Sequence, residues 1–259
     1  MVVSSKWALV TGASGGMGAE FASLLAERGY NLILAARSAE RLETVATNLR
    51  RFGVSIHVEP LDLSQEGSAA SLIGAIHNRD ISLDVLINNA GQGLHGDFIA
   101  QSGHSIDRML HLNVGSLTAL THSIAADMAE RRCGHILLIA SLTAFMPCPT
   151  YAAYAATKAY VRHIGEALHA EMAPHNVVVT VLSPGLKDTG FLSASGQEPS
   201  KSMKRAMTSP REAAEVGLEA LFAGRQSIVA GSMNKIAAIA TRFISRGLQT
   251  RIAANSLNS

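Results

Sequence analysis

Short apolar runs alternate with longer amphipathic stretches along most of the chain. The runs are rich in leucine or β-branched residues and are bounded by Gly, Asn or Pro, which is typical of buried strands. The clearest strands are predicted at residues 8–10, 32–35, 85–87, 136–139 and 177–182, with weaker candidates at 55–59 and 227–230. Helices are predicted between them, at residues 17–29, 39–52, 66–78, 103–131, 151–173 and 210–223.

This alternation of strands and helices predicts the fold class. It indicates an α/β protein with a doubly wound parallel sheet and helices on both faces. No linker, repeat or low-complexity tract divides it, so residues 1–231 are interpreted as a single domain. Residues 186–209, rich in Ser, Gly and Lys, interrupt the alternation and are interpreted as a substrate lid, because long insertions in compact domains are usually functional.

Composition narrows the classes of protein that fit. The 259 residues are 47% hydrophobic and 16% charged, which suits a large core and argues against a disordered chain. The formal net charge is only +2, so no nucleic-acid partner is expected. Two cysteines, Cys133 and Cys148, provide neither a disulfide framework nor a metal cluster, and no metal site is predicted.

Targeting signals are also missing from the sequence pattern. The most apolar run, residues 136–149, is shorter than the roughly 18 residues of a spanning helix. The first residues lack the layout of a signal peptide. A cytoplasmic protein is therefore expected.

A glycine-rich turn follows the first strand and leads directly into a helix. Its glycines have the spacing G-x-x-x-G-x-G, and the residues predicted to bind a cofactor here are Gly12, Ser14, Gly15, Gly16, Met17 and Gly18. Glycines let the backbone approach a pyrophosphate, and the helix N-terminus supplies free N–H groups. The turn lacks the Gly-Lys-Ser/Thr ending of an ATPase P-loop. An ordinary glycine-rich turn is the alternative interpretation.

The end of the second strand indicates which dinucleotide would bind. An NAD site places an acidic residue there, on the ribose 2′-hydroxyl, whereas this chain has Arg37 and Ser38. An arginine pairs well with a 2′-phosphate, which favours NADP(H) over NAD(H). A solvated loop cation is the alternative for Arg37.

Candidate catalytic residues lie at the end of the 136–140 run and on the next helix. Ser141 closes that run, at the carboxyl end of a strand, where open α/β sheets bind ligands. Tyr154 and Lys158 are four residues apart and share one helix face, so the ammonium is expected to lower the pKa of the phenol. Taken alone, such a pair is more often a surface contact. Together with the serine and the glycine turn, it indicates acid–base chemistry.

These residues resemble the classical short-chain dehydrogenase/reductase family, of the NADP-preferring type. The resemblance runs from Trp7 to about Gly231. It extends the cofactor site to Asp62 and Leu63, to Asn89, Ala90 and Gly91, and to Pro184, Gly185 and Thr189, and it adds Asn113 to the catalytic residues Ser141, Tyr154 and Lys158. It implies a single-domain Rossmann fold with a seven-stranded sheet of order 3-2-1-4-5-6-7. It also implies a homodimer or homotetramer.

The family mechanism implied by the resemblance assigns one role to each catalytic residue. NADPH gives a hydride to a substrate carbonyl, and Tyr154 exchanges the proton as general acid or base. Lys158 lowers the pKa of Tyr154 and binds the nicotinamide ribose. Ser141 donates to the carbonyl oxygen, and Asn113 holds a water that connects Lys158 to solvent.

A mostly apolar set of side chains is predicted near the substrate. The set comprises Leu94, His95, Leu142, Phe145 and Phe191, with Phe98, Met146 and Leu192 as further candidates. It favours a hydrophobic ketone or secondary alcohol, including the β-ketoacyl type. Packing roles are the alternative for each of them.

Residues 232–259 are interpreted as a basic amphipathic extension. No acidic residue follows Glu219, while five basic residues do, which leaves a charge of −3 on the first 219 residues. Apolar residues recur every three or four positions, at Ile236, Ile239, Ala240, Phe243, Ile244, Leu248 and Ile252. Such a helix can make peripheral contact with a membrane. Docking on the protein's own core or on a partner subunit is the favoured alternative.

The leading functional hypothesis is an NADPH-dependent carbonyl reductase. One alternative is a non-catalytic NADP(H)-binding sensor or regulatory protein, against which the complete set of catalytic residues argues. Another is a nucleotide-sugar epimerase or dehydratase of the extended branch of the same superfamily. The chain length and the glycine spacing oppose that branch.

Overall fold

The computed structural model describes residues 6–185, 195–196 and 209–257. Within them the strands are β1 (Trp7–Thr11), β2 (Asn31–Ala36), β3 (Ile56–Pro60), β4 (Val85–Asn88), β5 (Gly134–Ile139), β6 (Val177–Ser183) and β7 (Ser227–Val229). The helices are α1 (Gly16–Glu27), α2 (Ala39–Leu49), α3 (Ser68–His77), α4 (Gly103–Leu110), α5 (Leu117–Arg131), α6 (Ala152–Met172), α7 (Pro210–Phe222), α8 (Ser232–Ala240) and α9 (Arg246–Leu257).

The seven strands form one parallel sheet in the order β3-β2-β1-β4-β5-β6-β7, which confirms the predicted fold class. The chain builds outward from β1 to β3, then returns to place β4 on the other side of β1. The helices after β1 and β4 therefore leave toward opposite faces of the sheet. A crevice opens between the carboxyl ends of these two strands, and this is where open α/β sheets bind ligands.

Successive strand residues face opposite sides of the sheet, and each side has its own core. On one side, Val10 and Leu34 pack with Phe21 of α1 and Leu218 of α7. On the other, the core of Leu9, Ile33, Leu86 and Leu138 is shared with Leu120 of α5 and Val161 of α6. Because both faces are covered, the strands read as continuous apolar runs rather than as alternating ones.

Two predicted segments differ in detail from the structure. The helix predicted over residues 103–131 is divided into α4 and α5 by a π-helical turn, His111–Ser116. The single C-terminal helix predicted from the apolar spacing is divided into α8 and α9 by a turn over residues 241–245. Most of the predicted lid, with Thr189, Phe191 and Leu192, lies outside the described residues. Among the described helices, none combines the length and the apolar character needed to cross a bilayer.

Candidate active site

The glycine turn after β1 is shaped by very close backbone contacts. Gly12 has φ +68°, and a Cβ there would lie 2.8 Å from the side-chain nitrogen of Asn89. A Cβ on Gly18 would run into the carbonyl group of Gly12. The turn is also tied to β2, because the Gly12 N–H donates to the Ala35 carbonyl over 2.7 Å. Glycine is therefore required at both positions.

The first turn of α1 faces the crevice with its backbone N–H groups. Gly15 precedes the helix, and no side chain of the described residues caps it. The N–H groups of the first helical turn lack carbonyl partners within the helix and carry its positive dipole end. Ser14 lies beside them, and a Cβ added to Gly15 would meet nothing within 4 Å, so they suit a phosphate group.

Thr11 connects the glycine turn to the loop that follows β4. Its hydroxyl oxygen accepts from the backbone N–H groups of Asn89 and Ala90, each over 2.9 Å. The amide of Asn89 donates to the Thr11 carbonyl over 2.9 Å. The neighbouring Asn88 is buried and donates to the Leu117 carbonyl of α5 over 3.0 Å. These bonds fix the two sides of the crevice. The sequence pattern does not reveal this role of Thr11.

Arg37 and Ser38 lie where predicted, directly after β2 at the rim of the crevice. Arg37 is exposed and forms no ion pair with any described residue. The Ser38 hydroxyl oxygen caps α2 by accepting from the Arg41 N–H over 3.3 Å. A hydroxyl that accepts one bond can still donate its own proton to an anion. The arrangement therefore suits a 2′-phosphate.

Asp62 is held in one position by partners that the sequence did not reveal. Its carboxylate accepts from the Ser64 hydroxyl over 2.7 Å and from the Arg108 guanidinium of α4 over 2.7 Å. Burial alone would raise the pKa of Asp62, but these hydrogen bonds and nearby cations hold it below its ordinary value. The next carbonyl, of Leu63, accepts from the Ser116 hydroxyl over 2.6 Å. The loop after β3 is thus fixed at the crevice.

Ser141, Tyr154 and Lys158 come together at the carboxyl end of β5. Ser141 caps a short 3-10 helix, Leu142–Phe145, and its oxygen accepts from the Thr143 N–H over 3.2 Å. The Tyr154 hydroxyl is hydrogen-bonded to Ser141.

Tyr154 and Lys158 are only 6% and 5% exposed, so the surface-contact alternative is wrong. The Lys158 ammonium lies 5.8 Å from the centre of the Tyr154 ring and donates to the Ile139 carbonyl over 2.9 Å.

Asn113 lies in the π-helical turn between α4 and α5 and is fully buried. Its amide donates to the Gln92 carbonyl over 2.8 Å and to the Thr157 hydroxyl over 3.1 Å, and its oxygen accepts from the Gln92 N–H over 2.9 Å. A Cβ added to Gly91 would lie 3.3 Å from the Lys158 nitrogen and 3.4 Å from the Asn113 oxygen. Asn113 and Lys158 therefore both lie close to Gly91, and π-helical turns frequently occur at functional sites.

The pKa of Tyr154 does not follow the sequence-based expectation. Burial raises it, and the hydrogen bond with Ser141 opposes that change without cancelling it. The Lys158 ammonium is directed to the Ile139 carbonyl and is itself deeply buried. Burial lowers the pKa of Lys158 to about 8. The protein alone thus holds a protonated phenol beside an amine that titrates near neutral pH.

Replacing Lys158 with methionine is expected to remove a pH dependence of stability. The pKa of Lys158 falls from an ordinary 10.5 to about 8 in the folded protein, so unfolding takes up a proton between these values. The contribution of Lys158 to the free energy of unfolding therefore rises with pH in this window, on the order of 1–2 kcal/mol from pH 8 to about pH 9.5. Urea unfolding at the two pH values checks this, and equal increments in the wild type and in Lys158→Met would contradict it.

The predicted substrate residues divide into two groups. Leu94 and Met146 pack against an apolar cluster that contains Tyr151 and Tyr154, and the ring of His95 lies 4.9 Å from that of Tyr151. Phe145 points elsewhere, since the Arg162 guanidinium stacks on its ring at 4.1 Å. Leu142 follows Ser141 and donates its N–H to the Pro184 carbonyl over 3.2 Å.

The C-terminal extension also reaches this site. Ala253 of α9 is buried in the same cluster as Tyr151 and Tyr154. On α8, the side chain of Asn234 lies against Gly185, where a Cβ would collide with it. The spacing of the sequence gave no sign that either residue approaches the active site.

The chain is similar to known proteins over most of its length. An uncharacterized oxidoreductase of Staphylococcus aureus (strain USA300) is 33% identical over 220 residues, which are 85% of this chain and 92% of that protein. The structure of a short-chain dehydrogenase from Sphingobium yanoikuyae in complex with NADPH has a TM-score of 0.82 at 28% identity and covers 94% of both chains. A bulky-bulky ketone specific alcohol dehydrogenase from Comamonas testosteroni has a TM-score of 0.78 at 30% identity, over 94% of this chain and 93% of that one.

The family assignment rests on most of the chain. Residues 6–200 match the short chain dehydrogenase family, and this range contains the glycine turn, Asn113, Ser141, Tyr154 and Lys158. The sheet order and the sequence relatives agree with that match. The chain therefore belongs to the short chain dehydrogenase family of oxidoreductases.

Proposed function

We propose that this protein is an NADPH-dependent oxidoreductase that interconverts a hydrophobic carbonyl compound and its secondary alcohol. The observation that carries the proposal is the hydrogen-bonded pair of Ser141 and Tyr154, with Lys158 one helical turn away. A buried acid, a second hydroxyl donor and an amine of pKa about 8 are the groups that carbonyl reduction needs.

The residues around the crevice fit a nicotinamide dinucleotide. The closely packed glycines Gly12 and Gly18 and the uncapped start of α1 suit the pyrophosphate. The adenine would lie beside Asp62 and Leu63, and the nicotinamide ribose beside Asn89, Ala90, Gly91 and Lys158. Pro184 and Gly185 would lie beside the carboxamide. When bound, the dinucleotide supplies or accepts the hydride.

The preference for NADP(H) over NAD(H) depends on the rim after β2. The strand ends at Ala36 without a carboxylate to repel a 2′-phosphate, and Arg37 is exposed and has no ion-pair partner among the described residues. The Ser38 hydroxyl adds a second donor. The NADPH complex of the Sphingobium enzyme supports the same cofactor class.

In the reductive direction the catalytic residues act on the substrate oxygen. Tyr154 donates its phenolic proton, and Ser141 donates a hydrogen bond to the same oxygen as negative charge develops on it. Lys158 then restores the proton, for which a pKa of about 8 is well suited. Asn113 holds this part of the site in place through Gln92 and Thr157. In the oxidative direction the proton moves the opposite way.

The substrate side favours a hydrophobic molecule. Leu94, Met146, Tyr151 and Ala253 surround Tyr154 with apolar surface. Apolar walls with a few directed polar groups are typical of sites for hydrophobic ligands. The name of the Comamonas relative, an alcohol dehydrogenase specific for bulky ketones, supports the same class. A β-ketoacyl substrate belongs to this class as well.

Consumption of NADPH, and separately of NADH, tests the proposal across hydrophobic ketones, diketones and β-ketoacyl thioesters. We expect turnover with NADPH on members of this panel and much weaker turnover with NADH. Tight NADPH binding without turnover on any carbonyl of the panel would leave two interpretations, a substrate outside the panel or the sensor. Preference for NADH would overturn the role of Arg37 and leave the chemistry intact.

Assembly and location stay predictions. The family resemblance implies a homodimer or homotetramer built on the helices predicted at residues 103–131 and 151–173, which correspond to α4, α5 and α6. We propose such an assembly, in the cytoplasm. The mass in solution, measured by light scattering, tests the oligomer. A monomeric mass at enzyme concentrations that support turnover would contradict it.

A further inference from the structure

Large apolar side chains of α8, α9 and the turn between them are exposed. Phe243 is 85% exposed, Met233 74% and Ile236 62%, and Ile239, Leu248 and Ile252 are exposed as well. We refer to these six residues as the C-terminal apolar face. The alternative that the predicted stripe docks on the protein's own core is therefore wrong for the five of them that belong to the stripe, which are all except Met233.

Small and polar residues attach the extension to the protein instead. Ala238 and Ala253 are 5% exposed, and Gln249, equally buried, donates to the carbonyls of Thr241 and Ile244 over 2.7 Å each. These bonds fix the turn that carries Phe243. The C-terminal apolar face thus belongs to a packed and hydrogen-bonded part of the structure and is not a frayed end.

The same surface is cationic. Lys235, Arg242, Arg246 and Arg251 are all exposed on α8, α9 and the turn, and none forms an ion pair with a described residue. No acidic residue follows Glu219. Lys235 and Arg242 also line a cleft of ≈ 240 Å³ between α8 and β7, together with Arg162. The exposed Ile239 lines the same cleft, so Lys235 and Arg242 lie beside the C-terminal apolar face on α8.

The combination of exposed apolar residues and cations discriminates between two binding partners for this surface, a second copy of the chain and a lipid bilayer. A second copy of the chain, packed face to face, would bring identical cations together without an acidic residue from either extension. Interfaces between copies arrange complementary potentials, and opposed like charges are costly. An anionic bilayer satisfies both features, because phosphate groups attract the cations while the apolar side chains enter the acyl boundary.

We propose that the C-terminal apolar face docks the protein on an anionic phospholipid bilayer. The apolar side chains enter the interface, and Lys235, Arg242, Arg246 and Arg251 contact lipid phosphates. Docking involves no spanning helix. The proposal rests on the exposure and charge of the extension and is independent of the proposed reaction.

One consequence does rest on the proposed function. Ala253 packs into the apolar cluster around Tyr154, while Ile252, the preceding residue of α9, belongs to the C-terminal apolar face. A single turn of α9 thus connects the lipid-facing surface with the catalytic cluster. Docking would bring the substrate side close to the bilayer, where hydrophobic carbonyl compounds concentrate.

Co-sedimentation of the full-length protein with lipid vesicles tests the docking. We expect binding to phosphatidylcholine vesicles that contain phosphatidylglycerol and little binding to phosphatidylcholine alone. Phe243→Ser is expected to weaken binding about tenfold, by loss of apolar burial. Arg242→Gln is expected to weaken it about fivefold, and about 1 M salt should weaken wild-type binding strongly.

Ile99→Ser is the matched control, because Ile99 is 96% exposed and lies outside the extension. Its binding to the vesicles should equal that of the wild type. Ile236→Ser repeats the Phe243 test at a second position, and the thermal unfolding of each variant identifies any that fails to fold. Tyr154→Phe should bind vesicles normally, so a failure of the proposed chemistry stays separate from a failure of docking.

Three outcomes would overturn the proposal. The first is the absence of wild-type binding to the anionic vesicles. The second is binding that folded Phe243→Ser and Ile236→Ser retain in full. The third comes from light scattering: a wild-type assembly that dissociates in Phe243→Ser, without vesicle binding by either protein, would assign the surface to a second copy of the chain.

Discussion

Replacing Tyr154 with phenylalanine is expected to lower kcat by about 10²- to 10⁴-fold, the usual contribution of a positioned acid–base group. The variant loses only the hydroxyl that is hydrogen-bonded to Ser141. The ring keeps its packing, including the tilted contact with Tyr151 at 5.7 Å between ring centres. The free energy of unfolding and the affinity for NADPH should therefore change little. Steady-state kinetics with NADPH and an active ketone measures the effect.

Tyr160→Phe is the matched control on the same helix. The Tyr160 hydroxyl bonds to Thr118 over 2.9 Å and lies outside the site. The Tyr160→Phe variant should retain the wild-type kcat. If Tyr154→Phe kept more than about a tenth of the wild-type kcat, Tyr154 would not be the general acid, since a positioned acid–base group contributes at least about 10²-fold to the rate.

Replacing Arg37 with alanine is expected to raise KM for NADPH about 10- to 100-fold, which corresponds to the loss of a charge-assisted hydrogen bond worth about 1.5–3 kcal/mol. The expected change in KM for NADH is small, because NADH has no 2′-phosphate. Since Arg37 is exposed and follows the last residue of β2, its removal should leave stability unchanged. Initial rates with each cofactor at a saturating ketone concentration give both constants.

Arg50→Ala controls for a general loss of positive charge. Arg50 follows the far end of α2 and pairs with Glu43 over 3.2 Å, away from the crevice. Its replacement should leave both cofactor constants at their wild-type values. An equal loss of NADPH and NADH binding in Arg37→Ala would show that the side chain recognises something other than the 2′-phosphate.

Much of the fold follows from local pattern. Each of the seven predicted strands is present, because a sheet covered on both faces needs continuous apolar runs and such runs are visible in one sequence. The division of residues 103–131 was not predicted. The π-helical turn there leaves the apolar periodicity almost intact, and the side-chain bonds of Asn113 to Gln92 and Thr157 accompany it.

The sequence by itself determined the residue types of the site and their order along the chain. Glycines before a helix, a serine at a strand end and a Tyr–Lys pair four residues apart have local geometries that are fixed by backbone chemistry. For the same reason it determined that the C-terminal extension is apolar on one side and basic overall.

Only the tertiary structure decided the electrostatics and surroundings of these groups. The Lys158 ammonium donates to the Ile139 carbonyl, Arg108 from α4 holds Asp62, and Ala253 from the extension packs in the apolar cluster of Tyr151 and Tyr154. A pKa depends on burial and on neighbours that the fold brings from distant positions. The exposure of Phe243 is decided in the same way, because a periodic apolar stripe specifies a face and not what covers it.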